Sequence, residues 1–421
     1  MIKRFLLISV ILSLGLSIQA RDELLMQTLK EDPTRAGVVL HGYEFLPMEE
    51  VPNPTGYTPF YISHYGRHGS RSDFGSELYQ QVVNTLDGEG DNLTPAGVEL
   101  LKLAQKIIIL HDSCPGRLTD KGEREHAELA RRMFKRAPEV FTDGTHKVRA
   151  VSSMIQRSII SMTAFTNSLT SVEPMLQYNF DTGESTQKYI ACAGSPDTKD
   201  ITEAKRKLMQ QFQPDEEKTK KMLFRYPDRL KELDMAALEK AIYYTVVIAQ
   251  DFDVNCNPFK YLSEQSLYRQ MMDLTYNISL PFLRIPGFYE RRSASVQLGI
   301  NDFIDKADEA IHKNTYCADL RFGHDVPLLC LMAHMGVSGV GVEMSPEEVE
   351  SRWFGWLNTP MASNIQLIFY KPKGSTPSKL SDEEILVKVL YNEKERTILG
   401  AKPAQGEFYY SWAELKRVWN K

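Results

Sequence analysis

The chain has 421 residues, 42% of them hydrophobic and 25% charged, with a formal net charge of −5. These proportions exclude a disordered or fibrous chain and fit one large or two moderate globular domains. Mild acidity argues against nucleic acid or an anionic membrane surface as partner, while a local basic pocket remains compatible with it.

The first twenty residues read as a secretory signal. Lys3 and Arg4 precede an apolar segment from Phe5 to Leu16, and Ser17-Ile18-Gln19-Ala20 ends on a small residue suited to cleavage. The segment is shorter than the roughly 20 residues of a spanning helix, so stable membrane insertion is not expected once it is removed. Export to the periplasm or the medium is the expected destination. The five cysteines, Cys114, Cys192, Cys256, Cys317 and Cys330, match no zinc spacing, and no structural metal is expected. One or two disulfides are allowed in an exported protein, but spacing sets neither their pairing nor the oligomeric state. Cys330 falls in the apolar run from Leu328 to Met332 and is expected in the core.

Residues 21–55 are rich in turn formers, with Pro47, Pro52 and Pro54 leading to Gly56. The spacing then predicts a strand over Pro59–Tyr65, a helix over Ser76–Thr85, and a second helix from Thr94-Pro95 to about Leu110. A third helix starts in Leu118–Gly122 and closes at Pro138. A strand over Lys147–Val151 and a helix over Met154–Leu169, capped by Ser152 or Ser153, follow. Such alternation predicts an α/β fold with a mostly parallel central sheet flanked by helices. From about 180 to 315 the pattern becomes strongly charged and helical, with helices expected at Asp200–Gln213, Asp234–Ala249, Ser263–Leu274 and Ala294–His312. The strand pattern returns at Cys317–Phe322, followed by a helix over Val326–Met335 and a strand over Asn364–Tyr370. A hairpin from Ile385–Tyr391 to Arg396–Leu399 is expected around Asn392-Glu393-Lys394, and a last helix near Ser411. This divides the chain into a signal (1–20), an α/β core (21–180 and 315–421) and an inserted helical cap (181–314).

Three polar groups follow predicted strands, where open α/β sheets gather their ligands. The first is Arg67-His68-Gly69-Ser70-Arg71. Guanidinium forks match phosphate oxygens, and a neutral imidazole between them can attack phosphorus once the repelling charge is neutralised. In the second, Arg157 lies in the first turn of a helix and can reach an anion held at that terminus; Arg149, inside the strand, is a weaker alternative. The third is Arg321-Phe322-Gly323-His324-Asp325. Asp325 reads either as the N-cap of the following helix or as a carboxyl that protonates a leaving oxygen, and His324 either as a hydrogen-bond donor to a phosphoryl oxygen or as a core histidine.

These motifs resemble those of the histidine acid phosphatases, the large branch of the histidine phosphatase superfamily, over most of the chain after the signal. Leu118-Thr119-x-x-Gly122 with Glu125-His126, and the strand Val387–Asn392, are further points of likeness. The surroundings of Phe60–Arg71 and Phe322-Gly323-His324 are similar to the multiple inositol polyphosphate phosphatase subgroup. Two departures stand out: Ser72-Asp73-Phe74 follows Arg71 where many members place a proline, and His324-Asp325-Val326 replaces the subgroup's His-Ala-Glu. The resemblance implies His68 as a nucleophile forming phosphohistidine, Asp325 as proton donor, and Arg67, Arg71, Arg157 and His324 as phosphate ligands. It implies no cofactor and a phosphorylated small molecule, such as phytate, as substrate. The basic residues Lys205, Arg206, Lys207, Lys218, Lys220 and Lys221 either bind peripheral phosphates or lie on solvated helix faces. Two rival readings are a small-branch phosphotransferase or mutase, and a protein that binds a phosphorylated ligand without turnover.

Overall fold

The computed structural model describes residues 18–49, 52–193, 199–255 and 257–420. The expected secretory segment lies outside them except for its last three residues, which begin the helix Ile18–Glu31. Cys256 is outside them too, while Cys114, Cys192, Cys317 and Cys330 are free thiols, with Cys330 in the core as expected. No helix among the described residues is long and apolar enough to cross a membrane.

One eight-stranded sheet runs in the order β3-β2-β4-β1-β5-β6-β7, with β8 also pairing β6. Its strands are β1 (Tyr57–Arg67), β2 (Lys147–Ser152), β3 (Gln177–Asp181), β4 (Ala318–Gly323), β5 (Asn364–Pro372), β6 (Leu386–Tyr391), β7 (Lys394–Glu395) and β8 (Tyr409–Ser411). The four strands β1 to β4 are mutually parallel, and β5 turns the sheet antiparallel from there on. Because successive side chains alternate, β1 feeds both faces. Tyr61 and Tyr65 join a large apolar cluster on one side, and Ile62 joins a smaller one on the other.

Three helices matter for the site. They are α1 (Asp120–Arg136), α2 (Gln156–Val172) and α3 (Asp325–Met335). Helix α1 starts where its sequence says it should, with the Thr119 hydroxyl accepting from the Gly122 N–H. Neither Ser152 nor Ser153 caps α2: its N-cap is Ile155, with no side-chain bond, because Ser153 is held elsewhere. Between Asp181 and Ala318 the described residues hold helices and no strand. Among these, Met235–Ile248 packs on Glu77–Leu86, and its Tyr243 hydroxyl donates to the Ala36 carbonyl at 2.8 Å.

The predicted hairpin turns within two residues, Asn392 and Glu393, at φ 47° and 60°, a left-handed pair whose twist suits hairpin strands. Its second arm is only Lys394–Glu395. Arg396 N–H still donates to the Val389 carbonyl at 2.9 Å, but residues 397–399 leave the ladder, and Ile398 instead makes a bridge to Val337. Strands β3 and β8 were not expected from the pattern; β3 is short and mostly exposed, without the alternation that marks a half-buried strand.

Candidate active site

The parallel half of the sheet brings the C-terminal ends of β1, β2 and β4 side by side. Residue Arg67 pairs with Gly323, and Ser152 with Phe322, so the segments that follow all leave the sheet at one edge. That edge collects the three polar groups.

Arg67, the last residue of β1, is buried at 1% exposure. Its Nη1 donates to the carbonyls of Val39 (2.6 Å) and Thr359 (2.8 Å), and Nη2 meets Asp325 Oδ2 at 2.9 Å. Nε has no partner. Two residues at positive φ flank this clamp, Val38 at 53° and Ala362 at 55°, and for a β-branched residue such as Val38 that conformation is strained. The strain aims backbone at the loop: the Ser363 carbonyl accepts from Arg67 N–H at 2.8 Å, and the Ala362 N–H donates to the His68 carbonyl at 2.9 Å.

His68 Nδ1 lies 2.9 Å from the Gly69 carbonyl. A carbonyl can only accept, so Nδ1 carries the hydrogen and Nε2 keeps the lone pair. Burial and the charge of Arg67 hold its pKa well below the ordinary histidine value. The ring is therefore a neutral base with one fixed tautomer. Gly69 is required by close approach rather than by φ. A Cβ there would sit 2.6 Å from the Gly122 carbonyl oxygen in the first turn of α1. The loop is anchored from below by Glu125 of α1, whose Oε2 accepts from Ser70 N–H at 2.7 Å and whose Oε1 accepts from Ser70 Oγ at 2.9 Å.

Arg71 is half-buried, its Nη1 donating to the Ser72 carbonyl at 2.9 Å. Arg157, in the first turn of α2, directs Nη2 toward His324 Nδ1 at 3.4 Å, and its buried Nε has no hydrogen-bond partner among the described residues. Burial and the nearby charge of Arg71 push the Arg157 pKa down to about 10. Because a guanidinium only donates, His324 Nδ1 is an acceptor and Nε2–H donates to Ser153 Oγ at 3.0 Å. Burial and the charge of Arg157 bring the His324 pKa to about 4. The rings of His68 and His324 stand edge to face, centroids 5.5 Å apart.

Asp325 is not the N-cap of α3; His324 is, and Asp325 is the first residue of the helix. Its Oδ1 accepts from the Val326 N–H at 2.9 Å. Burial raises its pKa, but the Arg67 guanidinium, helped by the Val326 N–H, outweighs burial and holds the carboxyl below its usual range. All six sequence-predicted residues, Arg67, His68, Arg71, Arg157, His324 and Asp325, thus meet at one edge of the sheet.

Two other arginines of the motifs do not. Arg321 points to the opposite face of the sheet from Phe322 and pairs with Asp302 at 2.6 Å, and Arg149 pairs with Asp319 and Glu309. Of the basic residues in the helical stretch, Lys205, Arg206 and Lys207 pair with Asp273 or Glu203, and Lys220 donates to the Leu230 carbonyl. Sequence reasoning missed Ser153 as the partner of His324 and Glu125 as the anchor of the loop. Nothing local marks either, since each contact spans more than fifty residues. Two clusters of acids and histidine lie elsewhere, Asp32-His41-Glu44 and Asp308-His312-Asp382, and each already neutralises a cation, Arg35 or Lys416.

Scanned against models of protein families and against curated proteins, the sequence matches none. Solved structures do match. Multiple inositol polyphosphate phosphatase from Bifidobacterium longum, in complex with inositol hexasulfate, superposes with a TM-score of 0.69 at 17% identity, covering 91% of this chain and 97% of that one. The phytase from D. castellii gives 0.63 at 12% identity, with 91% and 84% covered, and Hafnia alvei phytase in complex with tartrate gives 0.53 at 13%, with 87% and 98% covered. The fold of the chain is the one these structures share.

Proposed function

We propose that the chain is an exported phosphomonoesterase that works through a phosphohistidine, with inositol polyphosphates such as phytate as the leading substrate class. The observation that carries this reading is His68: neutral, fixed in one tautomer by the Gly69 carbonyl, and surrounded by Arg67, Arg71 and Arg157. A pocket that only binds phosphate needs no such base. The substrate class rests on the fold shared with phosphatases of that chemistry, and the helical residues 181–314 would roof the pocket as a cap.

In the first step, His68 Nε2 donates its lone pair to phosphorus and the P–O bond to the alcohol breaks. Asp325, in its acid form, gives a proton to the departing oxygen. Arg67, Arg71 and Arg157 neutralise the phosphoryl oxygens as charge spreads over them, and His324 donates to one of them through the Nε2–H released from Ser153. In the second, water attacks phosphorus, its proton passes to Asp325, and the N–P bond breaks to return neutral His68 and inorganic phosphate. No metal is needed where three guanidiniums supply the positive charge, so phosphate release should survive exhaustive chelation; loss on chelation with recovery on adding zinc or magnesium would replace this mechanism with a metal-assisted one.

The test is phosphate release from p-nitrophenyl phosphate and from phytate by the wild type and by His68→Ala. Release from both esters by the wild type, and a loss of at least about a thousandfold in the variant, are expected. Substantial activity in a folded His68→Ala sample would remove His68 from the chemistry.

A further inference from the structure

Phe74 is 64% exposed, an unusual setting for a phenyl ring beside a cluster of charges. The guanidinium carbons of two arginines of the pocket lie within cation–π distance of its centroid, Arg71 at 4.8 Å and Arg157 at 5.0 Å. Those arginines come from different elements, one from the loop after β1 and the other from α2, and their like charges repel: burial first, and then the charge of Arg71, lower the Arg157 pKa. Among the described residues Arg157 makes no ion pair, and its one side-chain hydrogen bond is the long 3.4 Å approach to His324. Arg71 Nη1 lies 3.4 Å from Asp73 Oδ1, but no carboxylate among the described residues pairs with both heads, so something else must keep the two facing one pocket.

A carboxylate would do so at a cost to binding, because it would occupy the N–H donors that a phosphate needs. An aromatic face attracts the flat guanidinium and leaves its edge donors free. The ring is itself braced. Phe74 N–H donates to Asp73 Oδ1 at 2.9 Å, and the Asp73 carbonyl accepts from Gly116 N–H at 2.7 Å. Gly116, at φ 68°, brings bare backbone against the ring edge: a Cβ on it would already touch Phe74 Cδ1 at 3.4 Å.

We propose that Phe74 is a positioning residue that holds Arg71 and Arg157 ready for a phosphoryl group. This rests on the reading of the site as a phosphate pocket. Phe74→Leu keeps apolar bulk and removes the π face, while Phe74→Tyr keeps both. Binding of inorganic phosphate is measured by calorimetry, and KM and kcat with p-nitrophenyl phosphate, on samples of matched melting temperature. Phe74→Leu should weaken phosphate binding about fivefold and raise KM by a similar factor, with kcat affected less, and Phe74→Tyr should restore wild-type values. Phosphate affinity in Phe74→Leu equal to wild type, or a loss that Tyr does not restore, overturns the proposal while leaving the phosphatase reading intact. A wild type that neither binds phosphate nor releases it from esters overturns both.

Discussion

Asp325 carries two opposed demands. In its proposed role of proton donor it must hold a proton, yet the 2.9 Å contact with Arg67 favours its carboxylate. An arriving phosphoryl group relieves the conflict, since its negative charge draws on Arg67 and disfavours a second anion beside it. Asp325→Asn should therefore slow phosphorylation of the protein by alkyl phosphates, inositol phosphates among them, far more than by p-nitrophenyl phosphate, whose leaving group departs with little help. Single-turnover rates with the two ester classes decide this; equal slowing would make Asp325 a partner of Arg67 only. At this scale the sequence was most legible where one short motif contains several roles, as in Arg67–Arg71 and His324-Asp325. The rival reading of Asp325 as a cap failed because the helix begins one residue earlier, and Arg149, the weaker alternative, faces away from the site, which only alternation across a paired strand shows.

At the scale of elements, the site depends on how closely the loop after β1 rests on the start of α1. Gly69 and Gly122 meet backbone to backbone, with a Cβ on Gly122 falling 2.2 Å from the Ser70 carbonyl oxygen. Neither neighbour is a flexible side-chain end, so the loop must move to admit a methyl group. Gly69→Ala should lower stability by about 1–3 kcal/mol, as overpacking does, and cut phosphate release at least tenfold by displacing His68. Urea unfolding and steady-state assays on the variant check both; wild-type values would mean that the contact is slack. The Thr119 cap was readable because it follows helix-start rules, whereas the close approach of Gly69 to Gly122 was not, since it joins a loop to a helix some fifty residues on. Strand β3, at the sheet edge, and β8, three residues long, were not, because too few of their residues carry an alternating pattern.

For the whole molecule, the buried histidines set the response to acid. His64, His68, His126 and His324 all have pKa values lowered first by burial, His126 to about 3 and His324 to about 4. Between those values and the ordinary histidine value of about 6.5, the unfolded chain binds more protons than the folded one, so stability must fall as pH drops below about 6.5. Asp251 works in the other direction. Burial raises its pKa to about 8, so its contribution is complete only below the ordinary aspartate range and is lost as pH rises through about 8. Unfolding free energy should peak between about pH 6 and 7, and Asp251→Asn should flatten the decline between pH 6.5 and 8. Urea titrations at pH 5, 6.5 and 8 test this; greater stability at pH 5 than at 6.5 would refute it. The mostly parallel sheet and the long helical stretch before β4 followed from alternation and its interruption. The face each helix covers did not, because packing partners such as Tyr243 and Ala36 are far apart in the chain.

The measurement closest to the central claim is the chemical state of His68 during turnover. Protein quenched while hydrolysing a phosphate ester labelled at phosphorus should carry acid-labile, base-stable label on the peptide containing His68, and none in His68→Ala. Active wild-type protein that acquires no label under single-turnover conditions, or acquires it on another residue, would contradict a phosphohistidine at His68.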